Sequence, residues 1–122
     1  MSLRPILIHP DPRLKKVAQP VARITPEIET LAADMLATMY EAPGIGLAAP
    51  QIGVGLRVFT MDANRDPEAP RAPLVLVNPE VTWASDTPNT YEEGCLSIPD
   101  QYGEVTRPAQ IRMRWLGLDG KT

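Results

Sequence analysis

Between Pro26 and Tyr40 the apolar residues Ile28, Leu31, Ala32, Met35, Leu36, Met39 and Tyr40 return every three or four positions, the spacing of one face of an α-helix. The pattern predicts an amphipathic helix whose stripe turns toward a core. Thr25 is placed to cap its first turn, Pro26 fits a position that needs no amide donor, and Pro43-Gly44 ends it. Downstream the runs become shorter, and Leu56 to Asp62, Leu74 to Val77, Glu80 to Ala84 and Gln110 to Leu118 are predicted as strands. In the last of these, Ile111, Met113 and Trp115 alternate with Arg112 and Arg114, which sets the apolar set toward a core and the arginines toward water.

Fourteen prolines, about twice the usual share of roughly 5%, favour short strands and loops over long helices. The stretch Asn64 to Pro73, with three prolines and mixed charges, is predicted as a loop or long hairpin connection. There is no internal repeat. Strands that follow one helix, without regular strand–helix alternation, predict an α+β fold of antiparallel sheets packed around that helix, in preference to a parallel doubly wound sheet.

Composition narrows the possibilities. A chain of 122 residues with 43% hydrophobic content encloses one core, so residues 1–122 are expected to form a single domain. Twelve basic against fifteen acidic residues give a net charge of -3, and no basic surface advertises a phosphate backbone. No apolar run approaches the roughly 20 residues of a membrane span, and the start MSLRPILIHPDPR has no apolar h-region. A cytoplasmic protein without direct nucleic-acid or membrane partners is expected. The lone Cys95 has no internal disulfide partner and is left for packing, catalysis or metal binding.

Two segments are unusual for a purely structural domain. The first, Gly44-Ile45-Gly46-Leu47-Ala48-Ala49-Pro50-Gln51-Ile52-Gly53, has glycines that let a backbone approach a ligand closely, and Gln51 is its one side chain able both to donate and to accept hydrogen bonds. It reads either as a Gly-rich turn with a buried, satisfied glutamine or as an exposed amide donor that polarises a carbonyl. The Lys-Ser/Thr ending of a phosphate loop is missing. The second, Tyr91-Glu92-Glu93-Gly94-Cys95-Leu96-Ser97-Ile98-Pro99, sets two acids before a cysteine. Carboxylates nearby oppose thiolate formation in a free cysteine, which suits a metal-bound sulfur better than a nucleophile. A small buried hydrophobe is the alternative.

Together the two segments point further. Gly44 to Gln51 closely resembles the first signature of the peptide deformylase family, Glu93-Gly94-Cys95-Leu96-Ser97 matches its second, and their separation fits. The likeness continues through His9-Pro10-Asp11-Pro12-Arg13-Leu14, the helix, Val77-Asn78-Pro79 and Leu118-Asp119-Gly120, essentially the whole chain. The resemblance implies a hydrolase that removes the N-formyl group from the initiator methionine of nascent polypeptides, using Fe²⁺, or Zn²⁺, Ni²⁺ or Co²⁺ in its place. It implies Cys95 as a metal ligand, and the Gln51 amide and the Leu96 backbone N–H as donors to the oxyanion. Gly44, Ile45, Gly46, Glu93, Gly94 and Tyr102 would line or support the substrate cleft, with Ile45 facing the methionine side chain. Tyr102 stands where some members carry an arginine that meets the peptide backbone, and Pro50 where others have threonine.

The family's other metal ligands, two histidines of an H-E-x-x-H helix that also carries the general base, have no match. His9 is the sole histidine and sits in a Pro-rich turn. The expectation is therefore a deformylase-like domain incomplete at its carboxyl end, inactive as residues 1–122 and holding no metal tightly. Apolar side chains of the helix stripe and of Ile111, Met113 and Trp115 would then be uncovered and favour dimerisation. The expected partners are N-formylmethionyl peptides and, transiently, the ribosome. Two other readings are a metal-free deformylase-like peptide-binding protein and a cysteine hydrolase that uses Cys95 directly, though no histidine base lies near it in sequence.

Overall fold

A computed structural model describes residues 2–63 and 70–122. At its centre is the helix that the periodicity foretold, α1 (Pro26–Glu41). Thr25 is extended and its Oγ1 accepts from the Ile28 N–H at 3.4 Å, Pro26 fills the first turn, and Glu27 and Glu29 place negative charge at the positive end of the helix dipole. Ile28, Leu31, Met35 and Met39 are buried and pack with Leu47, Ala49, Ile52, Val58 and Val77. Asp34, on the same helix, is also buried, and its charge is compensated: Oδ1 accepts from the Ser2 amide and Oδ2 from the Arg4 guanidinium at 2.7 Å. These bonds, the Ser2 amide first, hold the Asp34 carboxyl below its ordinary value and tie the amino-terminal arm to α1.

The main sheet is antiparallel with strand order β1-β2-β3-β6, where β1 is Gly46–Ala48, β2 Val58–Met61, β3 Leu74–Ala84 and β6 Ile111–Leu116. A second sheet is the hairpin of β4 (Pro88–Cys95) and β5 (Ile98–Pro108). The α+β architecture agrees with the sequence pattern, but the strands differ in two respects. The two runs expected at Leu74 to Val77 and Glu80 to Ala84 form the single strand β3 across Asn78-Pro79. The register shifts between Val77 and Glu80, and Asn78 takes a φ of 51°, a conformation that asparagine tolerates better than most residues. Its side chain closes the irregularity by accepting from the Val21 N–H and donating to the Val21 carbonyl, both at 2.8 Å. The strands β1, β4 and β5, low in apolar alternation, were not foreseen. The expected loop at Asn64 to Pro73 lies mostly outside the described residues.

The expected exposure of the helix stripe is also corrected. Met35 and Met39 are fully buried, because α1 lies across β1 and β2 and its stripe meets Leu47, Ala49 and Val58. Exposed apolar residues instead include those at the far ends of β3 and β6, where Val81 is 54%, Trp83 47% and Ile111 48% accessible, while Met113 and Trp115 are half-buried. Alternation along β6 is as predicted, but the core stops short of Ile111. Among the described residues no helix is long and apolar enough to cross a membrane.

Candidate functional site

The first unusual segment folds as strand β1 followed by a 3₁₀ turn, Ala49–Ile52. Pro50 suits the opening of that turn, where no amide donor is required, and Gly53 ends it with a φ of 83° that side-chain-bearing residues rarely adopt. Within the turn the Ala48 N–H donates to Gln51 Oε1 at 3.0 Å. That bond assigns the two ends of the carboxamide, since the oxygen is held against the main chain and the NH₂ group is turned outward. Gln51 Nε2 then lies 3.1 Å from Ser97 Oγ and 3.7 Å from Cys95 Sγ. The two signatures, more than forty residues apart in sequence, meet at this point.

The second segment occupies the end of β4 and the tight turn at Leu96-Ser97 into β5. The register shifts between Gly94 and Cys95, an irregularity of the kind that re-aims the following side chain. Two glycines sit at close approaches of neighbouring side chains. A Cβ on Gly44 would stand 2.7 Å from Leu96 Cδ1, and one on Gly94 would stand 2.8 Å from a Tyr102 ring carbon. Gly44 thus lets the first segment close onto the second, and the Tyr102 ring packs against Gly94, its partner across the hairpin. Cys95, Gly94, Ile98, Tyr102 and Val105 line a shallow cleft of about 280 Å³. Ile45, which precedes Gly46, is 51% exposed and its carbonyl accepts from the Asp62 N–H, but it is not among the residues that line this cleft. Gly46 begins β1, an edge of the main sheet.

Glu93, expected to line or support the substrate cleft, lines the same cleft as Cys95 and is held there by an ion pair. Both its carboxylate oxygens accept from Arg107, at 2.7 and 2.8 Å, so it braces β4 against β5 and its charge beside Cys95 is offset. Those hydrogen bonds hold the Glu93 carboxyl below its ordinary range and raise Arg107. The sign follows: the pair stabilises the hairpin at pH values above the ordinary glutamate range, and the contribution is lost as pH falls through the lowered value. In Arg107→Ala the Glu93 carboxyl should titrate back in the ordinary range, as followed by carboxyl NMR. An unchanged titration would show that Arg107 does not set it.

Three participants were missed in the sequence. Arg107 gives no signal, being one of several charged residues on an exposed strand. Ser97 stands inside the second signature, yet only the fold shows its buried hydroxyl against Gln51. The Ala48 amide is invisible to any reading of side chains. His9 also reaches the site, through its main chain, donating its N–H to the Ser97 carbonyl at 2.7 Å, while the Leu7 N–H donates to the Gln51 carbonyl at 2.7 Å. Cys95 is exposed and free, and among the described residues no three His, Cys, Asp or Glu side chains converge to hold a metal ion.

Comparison with known proteins gives consistent matches. The family model described as polypeptide deformylase matches residues 3–122. The chain is 52% identical over 121 residues to a peptide deformylase of Mesorhizobium japonicum, covering 99% of this chain and 68% of that protein. It is 54% identical over 123 residues to one of Methylocella silvestris, covering 99% of this chain and 63% of that protein. Among solved structures, the Met-Ala-Ser-bound class I type b peptide deformylase of Acinetobacter baumannii superposes with a TM-score of 0.91 at 36% identity, covering 99% of this chain and 81% of that one. The chain thus spans about two thirds of the length of these curated relatives.

Proposed function

Because the chain belongs to the polypeptide deformylase family, whose members are hydrolases that remove the N-formyl group from nascent peptides, we propose that it supplies the formyl-binding half of such an active site. One observation carries the reading: the Gln51 carboxamide, locked by the Ala48 amide, presents its NH₂ group 3.7 Å from Cys95 Sγ. A formyl oxygen seated alongside them would accept from Gln51 Nε2 and from the backbone N–H of Leu96, the residue that follows Cys95. Negative charge grows on that oxygen as the carbonyl carbon becomes tetrahedral, so donors fixed in advance stabilise the transition state more than the ground state.

Ile45, with its side chain exposed, would receive the methionine side chain, a long flexible apolar group. Gly44, Gly46 and Gly94 would support the cleft by letting Leu96, Phe59 and Tyr102 pack close to the main chain, and the edge position of β1 suits strand-like pairing with an extended peptide. Tyr102 would flank the residues beyond the methionine, and Glu93, held by Arg107, would keep β4 in place. A relative that holds Met-Ala-Ser, a peptide with an amino-terminal methionine, supports an N-formylmethionyl peptide as substrate here. The same reading assigns residues 1–122 to one deformylase-like domain acting in the cytoplasm, where new chains appear, with transient ribosome contact. The exposed ends of β3 and β6 are its surface for self-association.

Members of the family are metalloenzymes. Cys95 suits one ligand position for Fe²⁺, or for Zn²⁺, Ni²⁺ or Co²⁺, but the described residues do not fit a metal by themselves, having one thiol, an engaged Glu93 and no third convergent donor. Catalytic metal sites need about three protein ligands. Polypeptide 1–122 dialysed after exposure to Zn²⁺ should therefore retain far less than one equivalent by elemental analysis; stoichiometric retention would contradict this. The activity is tested on the natural gene product isolated with its metal, by formate release from N-formyl-Met-Ala-Ser. Turnover supports the reading, whereas tight peptide binding without formate would replace hydrolysis with recognition alone. Rapid alkylation of Cys95 in that metal-containing protein would favour a cysteine nucleophile instead.

A further inference from the structure

Gln51 is useful as a donor only if its NH₂ group stays turned toward Cys95, and the Ala48 bond restrains one end of the carboxamide alone. The other end is held by Ser97. Its side chain is buried, the residue being 3% exposed, and its Oγ accepts from Gln51 Nε2 at 3.1 Å. A carboxamide nitrogen carries two hydrogens. With one directed at Ser97 Oγ, the second is left on the Cys95 side, where Nε2 stands 3.7 Å from Sγ. The main chains of both residues are fixed in turn by one amino-terminal strap, Leu7 donating to the Gln51 carbonyl and His9 to the Ser97 carbonyl, each at 2.7 Å.

We infer that Ser97 is a positioning residue for the deformylation reaction, whose hydroxyl selects the orientation in which Gln51 turns its second N–H, the one on the Cys95 side, to the formyl oxygen. The inference rests on the deformylase reading of the site, and it assigns Ser97 no contact with substrate. Rotation of the carboxamide out of this orientation loses the Ala48 and Ser97 bonds together, so the two restraints act as a pair. Removing the hydroxyl leaves the carboxamide held by the Ala48 bond and the longer Cys95 contact, so the whole amide plane turns more easily about its Cγ–Cδ bond. The loss should fall on the transition state, because the developing charge depends on donor alignment more steeply than the neutral formyl group does.

The test uses the natural gene product with its metal and the variants Ser97→Ala and Ser97→Thr. Ser97→Ala should lower kcat on N-formyl-Met-Ala-Ser by about threefold to tenfold, the worth of one net hydrogen bond, with KM nearly unchanged, and Ser97→Thr, which keeps the hydroxyl, should recover most of it. Independently of activity, the Gln51 side-chain NH₂ protons should be protected from solvent exchange in the parent protein and in Ser97→Thr, and unprotected in Ser97→Ala. A parent that releases no formate overturns the deformylase reading, while loss of protection would still show that Ser97 orients Gln51. Unaltered protection in Ser97→Ala, a kcat equal to the parent's, or a change confined to KM overturns the inference.

Discussion

Replacing Gln51 by alanine should lower kcat for N-formyl-Met-Ala-Ser hydrolysis by about 10²- to 10³-fold, the usual consequence of deleting one oxyanion donor, while KM moves little. The expected split follows from when the charge appears. A neutral formyl oxygen gains modestly from the Gln51 N–H, whereas the tetrahedral oxyanion gains fully, so truncation raises the barrier without greatly weakening ground-state binding. The structural cost is small by comparison. Gln51 is half-buried, and the bonds it loses, to the Ala48 amide and to Ser97 Oγ, are neutral ones worth about 1 kcal/mol each, so the variant should remain folded. Gln51→Glu separates the two roles, since it keeps an acceptor for Ala48 but presents negative charge where a donor is required, and it should be at least as impaired as Gln51→Ala. Steady-state kinetics with a thermal melt of each variant provides the check. A Gln51→Ala enzyme within a few fold of the parent would remove Gln51 from the chemistry.

The parts of this site legible in the sequence were those whose chemistry depends on residue type. Gln51 and Cys95 stood out because an amide and a thiol are rare among small and apolar neighbours, and the two signatures gave their partnership. The helix was legible because a three- and four-residue apolar rhythm has one physical interpretation. Strands β4 and β5 were not, because nearly every side chain on them is exposed and period-two alternation arises only when one face is buried. The continuity of β3 was hidden by Asn78-Pro79, which reads as a break until the paired bonds from Asn78 to Val21 are seen. How Glu93 is held was hidden, because nothing local in sequence shows Arg107, fourteen residues on, gripping both its oxygens.

Where the core lies can be tested by two truncations that the sequence pattern alone would treat as equivalent. Met35 on α1 and Ile111 on β6 both belong to apolar stripes of regular period. Met35 is fully buried among Leu31, Met39, Leu47 and Val58, and Ile111 is 48% exposed. Met35→Ala removes a large side chain from a close-packed interior and leaves a cavity, so it should destabilise the fold by about 3 kcal/mol, within the range of 2–5 kcal/mol for such changes. That is a large share of a domain's total stability of about 5–15 kcal/mol. Ile111→Ala gives up far less burial and should cost under about 1 kcal/mol. Urea unfolding of the two variants against the parent measures the difference. Equal costs would mean that the exposed ends of β3 and β6 are covered in solution, by self-association or by another surface. A smaller cost at Met35 than at Ile111 would place the core elsewhere than against α1.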